Sequence, residues 1–317
     1  MTSSGTAQVA FAGTPEFAVP SLNALLTADV SIPLVLTQPD RPAGRGRRLT
    51  ASPVKQLAEQ HGIDVWQPER FDADARAELP DKRPAVLVVV AYGLILPQWM
   101  LDWAELATIN VHASLLPRWR GASPIQQAIL AGDSESGVSI MQLEPGLDTG
   151  PVYGQRATAI ESGETAGGLH DRLAVIGAGL LAELLPEILG GAREPVAQDH
   201  VQATYAPKID KRAALLDWGE TAEVLERTVR AYNPWPVAEA RTDKGERLRI
   251  WQAEVAGGHA GGAPGEIVAV GNTGIDVATG SGVLRLTSVQ PPGGRLMDAG
   301  AWLAGHPISG TRFGGAR

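Results

Sequence analysis

The tightest constraint on the fold is residues 85–91, AVLVVVA, an apolar and mostly β-branched run between polar flanks. A strand that is apolar at every position leaves no face for water, so it belongs inside a parallel sheet covered on both sides. The surrounding sequence supplies the rest of such a sheet. Short apolar runs at residues 8–12, 32–37 and 107–111 read as strands, with another around Val65. Between them the pattern predicts helices ending near Ala28, over residues 53–61 and over 73–79; Pro53 suits a first helical turn. Residues 138–143 and 152–160 read as two further strands. Leu169, Leu173, Ile176, Leu180 and Leu184 then step along one face of a helix that begins at Thr165. Strand and helix in alternation predict an α/β, Rossmann-like domain built on a parallel sheet.

The turn after the first strand, Gly13-Thr14-Pro15-Glu16, lacks the Gly-x-Gly-x-x-Gly spacing that lets a pyrophosphate lie against a helix start. A nicotinamide cofactor is therefore not expected, and Thr14 and Glu16 read as helix caps. The 317 residues contain no cysteine, which excludes disulfides, thiolate metal sites and a thiol nucleophile. The histidines show no ligand spacing, so no metal is expected. The amino terminus, MTSSGTAQVAFAG, has no basic region before a long apolar run, and no stretch has the roughly 18 apolar residues of a membrane span. A cytoplasmic protein, monomeric and without membrane association, is the expectation.

Breakers and polar residues gather at Gly190-Gly191 and through residues 195–207. The chain thus divides into residues 1–190, a linker at 191–207, and a second domain over 208–317. In the last part, one helix at 221–231 precedes short runs at 248–253, 265–270, 274–279 and 283–290 separated by glycine turns. That spacing predicts a small β-barrel. Charge divides in the same way. From Pro207 onward there are 13 basic and 12 acidic residues, against 14 basic and 23 acidic before it, within a net charge of −8. Such an acidic protein does not bind nucleic acid indiscriminately, but gathered basic residues can still meet RNA.

One such gathering follows the second strand. Residues 38–50, QPDRPAGRGRRLT, are longer than the usual connection and place Arg41, Arg45, Arg47 and Arg48 among prolines and glycines. Their guanidiniums suit a polyphosphate or an RNA backbone. Lys208, Lys211, Arg212, Arg247, Arg249 and Arg295 are further candidates for phosphate contacts.

Chemistry concentrates between residues 110 and 150. Asn110 and His112 flank Val111 at the end of a strand, so an amide and an imidazole share one face at the edge where α/β sheets bind ligands. A turn-rich loop, Glu144-Pro145-Gly146-Leu147-Asp148-Thr149-Gly150, presents the carboxylate of Asp148 thirty-six residues beyond His112. Amide, imidazole and carboxylate are the parts for acyl transfer: one steadies an oxyanion, one moves a proton, one orients the imidazole. Each alone is commonplace; their joint occurrence with Ser114-Leu115-Leu116-Pro117 points to a site.

Asn-x-His, Ser-Leu-Leu-Pro and the distant Gly-Leu-Asp-Thr-Gly together resemble the folate-dependent formyltransferases, and the likeness covers nearly the whole chain. The resemblance implies transfer of a formyl group from 10-formyltetrahydrofolate to the α-amino group of methionyl-initiator tRNA, for translation initiation. It implies catalytic roles for Asn110, His112 and Asp148, and a folate pocket lined by the Ser114, Leu115, Leu116 and Pro117 backbone and bordered by residues 92–97. It also makes the arginine loop a grip on the tRNA acceptor stem, with Arg45 at the key position. Residues 205–208 match the family's Tyr-Ala-x-Lys, and the last domain becomes an OB-like barrel that contacts tRNA. The rival acceptors are an amino sugar or a purine precursor. A noncatalytic RNA-binding protein and a Rossmann dehydrogenase are the rivals of other classes.

Overall fold

The computed structural model describes residues 6–43, 46, 48–80, 83–242, 245–257, 261–305 and 312–314. The chain forms two compact units. One comprises Met1–Pro124, Glu135–Ala159 and His170–Ala206; the other comprises Ile125–Ser134, Ile160–Leu169 and Pro207–Arg317.

The first unit is organised by a twisted sheet of seven principal strands: β1 (Ala7–Gly13), β2 (Leu34–Leu36), β3 (Asp64–Trp66), β4 (Val86–Val90), β5 (Ala107–His112), β6 (Glu135–Gln142) and β7 (Val152–Ala159). They lie in the order β7-β6-β5-β4-β1-β2-β3, with Val30–Ser31 beside the start of β1. From β5 to β3 all neighbours are parallel, while β6 and β7 run antiparallel. All five residues of β4 are buried, as the unbroken apolar run requires. One face of the sheet packs Ala10, Ala12, Leu34, Leu36, Leu87 and Val89 against Met100 and Trp103.

The chain steps outward from β1 to β3, then returns to place β4 on the other side of β1. Where strand order reverses, the carboxyl ends of neighbouring strands open a crevice. At that point Thr14 Oγ1 donates to the Tyr92 carbonyl (2.9 Å) and accepts from the Gln38 N–H (3.3 Å), joining the exits of β1, β4 and β2. Thr14 is therefore not the helix cap its position suggests. Neither Pro15 nor Ala18, the cap residues of the turn Glu16–Ala18 and the helix Val19–Thr27, supplies a side-chain bond. Glu16 does sit in a first turn, where a negative charge suits the exposed N–H groups.

The second unit is an antiparallel sheet curled into the OB-like barrel. Its strands are β8 (Ala238–Thr242), β9 (Arg247–Ala256), β10 (Ile267–Gly271), β11 (Gly274–Ala278), β12 (Val283–Gln290) and β13 (Phe313–Gly314), in the order β10-β11-β12-β9-β8-β13. The ends meet: Phe313 N–H donates to the Gly265 carbonyl (2.8 Å), and Glu266 bridges Arg312. Inside, Trp218 stacks on Phe313 at 5.5 Å, beside Leu225 and Val229 from the helix Ala222–Ala231. β8, sequence AEART, escapes a reading by composition because alanine and charged residues are weak strand formers. Its alternation of buried and less buried positions is imposed by pairing with β9.

Back in the first unit, the helix Ala166–Leu189 lies close against β5 and β6. A Cβ added at Gly177 would stand 2.8 Å from Val111 Cγ1 and 3.3 Å from Val138 Cγ1. Gly177→Leu is expected to lower stability by about 1–3 kcal/mol through overpacking. Gly179→Ala, whose new methyl meets nothing nearer than Arg156 Nη1 at 3.6 Å, should instead gain about 0.5–1 kcal/mol from helix propensity. Urea unfolding of the two variants separates them; equal destabilisation would refute the close-packing account.

Candidate active site

The site is built at the carboxyl end of β5. Val111 faces the helix Ala166–Leu189, so Asn110 and His112 project from the other face of the strand. Their Cα atoms are about 7 Å apart by the strand repeat. β6 holds this end in register, with Ser139 opposite His112 and Met141 opposite Asn110. The Asn110 carboxamide is partly exposed and has no hydrogen-bond partner among the described residues.

His112 is buried, and its ring is oriented by the backbone. Nε2 lies 3.1 Å from the Trp119 carbonyl. A carbonyl only accepts, so Nε2 carries the hydrogen and Nδ1 of the neutral ring presents its lone pair. Nδ1 faces Asp148 Oδ2 at 3.7 Å, with the two side chains 7% and 15% exposed. That distance exceeds a hydrogen bond. The sequence suggested a carboxylate that orients the imidazole. In the fold the Trp119 carbonyl does the orienting, and the carboxylate stands beside the nitrogen left free.

Asp148 is held in an unusual conformation. Its φ of 52° is uncommon for a residue other than glycine. Oδ2 accepts from the Gly121 N–H at 2.7 Å. The loop closes tightly on β6: a Cβ at Gly150 would stand 2.0 Å from the Gln142 carbonyl oxygen, so only glycine fits. Gln198 Nε2 donates to the carbonyls of Asp148 (2.9 Å) and Gly150 (2.6 Å). Gln198 Oε1 in turn accepts from Nε and Nη2 of Arg120 at 3.1 and 2.7 Å. Arg120 is only 2% exposed, and its Nη2 also lies 3.1 Å from His200 Nδ1. Residues 120–121 pair in parallel with 205–206, and Arg120 N–H donates to the Thr204 carbonyl. Gln198, Thr204 and the backbone of residues 205–206, in the stretch expected to link two domains, thus hold this loop cluster by hydrogen bonds. Arg118 is exposed, its guanidinium 4.5 Å from the centre of the Trp119 ring.

The Ser114-Leu115-Leu116-Pro117 loop is fixed from beneath. Ser139 Oγ donates to the Ser114 carbonyl (2.6 Å) and accepts from the Leu116 N–H (3.0 Å). Gln155 Nε2 donates to the Leu116 carbonyl (2.8 Å), and Ser114 Oγ to the Arg118 carbonyl (2.6 Å). The Leu116–Pro117 peptide is cis. Ser114 and Leu116 are buried, whereas Leu115 and Pro117 are partly exposed. Beyond β4, burial pushes the Tyr92 phenol above its ordinary range, and Ile95 stands almost fully exposed.

The described parts of the arginine loop form a hairpin. Arg41–Ala43 pairs antiparallel with Arg48–Thr50. Lys55 Nζ pins the base, donating to Asp40 Oδ2 and to Gln67 Oε1, each at 2.8 Å. The hydrogen bonds from Lys55 and then Gln67 hold the Asp40 carboxyl below its usual range. Arg41 donates to Gln38 Oε1, and both Arg41 and Arg48 are exposed. Arg45 and Arg47 lie outside the described residues. In the second unit Arg212 pairs with Asp210 (2.7 Å) and Arg247 with Glu239 (2.8 Å), while Lys211 lies 5.7 Å from the centre of the Trp235 ring. Lys208 and Arg295 are exposed. Among the described residues no group of three or more His, Asp or Glu is placed to hold a metal ion, and no helix is long and apolar enough to cross a membrane.

Residues 7–185 match the formyl transferase family, and residues 208–307 match the formyl transferase C-terminal domain. The chain belongs to the formyl transferase family. Its relatives within the family include a methionyl-tRNA formyltransferase of Methylococcus capsulatus, 51% identical over 308 residues that cover 97% of this chain and 99% of that protein. Another methionyl-tRNA formyltransferase, from Halorhodospira halophila, is 52% identical over 95% of this chain and 97% of that protein. Among solved structures, a sugar 3N-formyl transferase, WlaRD, determined with dTDP and 5-N-formyl-THF, shares the fold with a TM-score of 0.65 at 16% identity, covering 89% of this chain and 98% of that one. HypX from Aquifex aeolicus, in complex with tetrahydrofolic acid, matches with a TM-score of 0.61 at 17% identity over 95% of this chain and 47% of that one.

Several groups of this candidate site had no signature in the sequence. The Trp119 carbonyl and the Gly121 N–H are backbone atoms and carry no residue code. Ser139, Gln155 and Gln198 are ordinary polar residues until the sheet brings them under the loops. Ser139→Ala leaves the buried Leu116 N–H without its acceptor, which should cost about 1–3 kcal/mol of stability. Thermal and chemical unfolding of that variant test the assignment, and wild-type stability would contradict it.

Proposed function

We propose that this protein transfers the formyl group of 10-formyltetrahydrofolate to the α-amino group of methionine esterified to initiator tRNA, the step that prepares that tRNA for translation initiation. The observation that carries the chemistry is the placement of His112 Nδ1, a bare nitrogen 3.7 Å from the Asp148 carboxylate. Two acceptors this close are complementary to a donor placed beside them, and an ammonium group is such a donor. His112 then takes a proton from the acceptor's ammonium, because only the neutral amine attacks, and the Asp148 carboxylate lies beside the imidazolium that results. Asn110, whose amide is otherwise unengaged, donates to the oxygen that gains charge as the formyl carbon becomes tetrahedral. As the carbon–nitrogen bond to the folate breaks, the imidazolium gives its proton to the departing nitrogen, and the imidazole so restored takes the second proton of the attacking nitrogen, which becomes the amide N–H of the product.

The acceptor is inferred from the likeness to methionyl-tRNA formyltransferases, 51% and 52% identical over nearly the whole chain. In this reading residues 1–190 form the catalytic domain, 191–207 the connection, and 208–317 the domain that contacts tRNA. Ser114, Leu115, Leu116 and Pro117 line the folate pocket, with the partly exposed Leu115 and Pro117 meeting the ligand. Arg41, Arg45, Arg47 and Arg48 meet the phosphates of the acceptor stem. The protein acts in the cytoplasm, where translation begins, and one chain carries every group the reaction uses, so a monomer suffices.

Purified protein supplied with 10-formyltetrahydrofolate should formylate methionyl-initiator tRNA in preference to elongator methionyl-tRNA, and should leave dTDP-amino sugars untouched. Equal use of an amino sugar would overturn the acceptor assignment. His112→Ala and Asn110→Ala are each expected to lower kcat by about a hundredfold or more. Near-normal turnover in either variant removes that residue from the mechanism.

The arginine hairpin generates a separate expectation. Arg48→Ala should raise KM for tRNA, leave folate affinity unchanged, and reduce the dependence of log affinity on log salt by about one. An unaltered salt slope would show that Arg48 touches no phosphate.

A further inference from the structure

Arg120 is the one strongly buried cation in the described part of the site, and among the described residues its side chain meets Gln198 and His200 rather than a carboxylate. Burying a guanidinium without an ion pair is costly, so its fixed hydrogen bonds ask for an explanation. Two of its nitrogens converge on a single atom, Gln198 Oε1. An amide side chain can present oxygen or nitrogen on either side, and two cationic donors on one side settle that choice. The nitrogen is thereby turned toward the Asp148 loop, where it donates to the carbonyls of Asp148 and Gly150. The first of those carbonyls belongs to the residue whose backbone sits at positive φ, and the second lies two residues further along the same turn. The neighbouring residues of Arg120 complete the clamp. Trp119 gives its carbonyl to His112, and Gly121 gives its N–H to the Asp148 carboxylate.

We propose that Arg120 and Gln198 are positioning residues for the proton-transfer pair: Arg120 orients the Gln198 amide, and Gln198 holds the Asp148 backbone so that its carboxylate faces His112 Nδ1. Neither touches the reacting atoms. The proposal rests on the reading of Asp148 given above.

The test turns on Gln198→Glu. A glutamate still satisfies Arg120, now with an ion pair, but at neutral pH it cannot donate to two carbonyls. If Gln198 only fills space and satisfies Arg120, Gln198→Glu formylates methionyl-tRNA normally. If it positions Asp148, kcat falls by about tenfold to a hundredfold while KM for tRNA and folate and the melting temperature change little. The same substitution is then made in Asp148→Asn. Little further loss there is expected, because residues that act as one unit are not additive. A full additional loss in that background, or wild-type kcat in the single variant, overturns the proposal. Asp148→Asn with wild-type kcat would instead remove the reading of Asp148 on which the proposal stands, and the three results are distinguishable. Should Gln198→Glu fail to fold, Arg120→Lys serves in its place: it keeps the charge but loses the two-pronged grip, and the same pattern of kcat loss, absent in Asp148→Asn, is required.

Discussion

The first unit depends on the burial of its central strands on both faces. A strand such as β4, with every residue out of water, has nowhere to place a polar side chain except at its ends. β5 is likewise buried up to Asn110, its Thr108 hydroxyl satisfied by the Leu101 carbonyl, and at Asn110 the strand approaches the carboxyl edge of the sheet and pairs with β6. Function is thereby confined to one rim. The strand-order reversal between β1 and β4 decides where on that rim a crevice opens.

On the rim, the loops are held by hydrogen bonds rather than by apolar burial. Asp148 and Trp119 both adopt positive φ, a conformation that costs free energy for ordinary side chains. Each is compensated by partners that accept no alternative geometry. Trp119 N–H donates to Thr204 Oγ1 while its carbonyl takes the His112 hydrogen; Asp148 is fixed through Gly121 and Gln198. The consequence for His112 is chemical. Engaging Nε2 with a backbone carbonyl sets the tautomer, and that leaves Nδ1 as the nitrogen able to take a proton.

The second unit solves a different problem. A short antiparallel sheet with open edges invites pairing with other strands, and the bridge of residues 265–266 to 312–313 joins the two ends at one point. Several of its basic side chains are already paired with neighbouring carboxylates, which leaves its available positive charge more localised than the sequence suggests.

How much of this was legible beforehand follows from the range of the forces involved. Hydrophobic periodicity is local, so the runs at residues 85–91 and 107–111 and the helix face from Leu169 to Leu184 could be read directly, and the α/β sheet with them. Two-residue alternation put Asn110 and His112 on one face, and the turn chemistry around Asp148 marked a loop worth a carboxylate. Pairing is not local. Thr14 looked like a cap because nothing in its neighbourhood reveals that Tyr92 and Gln38 arrive beside it. The strand at residues 120–121 exists because residues 205–206 lie next to it, and β8 because β9 does. The sequence by itself determined which residues are buried in strands and which chemical groups stand at their ends. Only the tertiary structure decided which nitrogen of His112 is free and what holds Asp148 opposite it, because those choices belong to backbone atoms and to polar side chains brought together from distant parts of the chain.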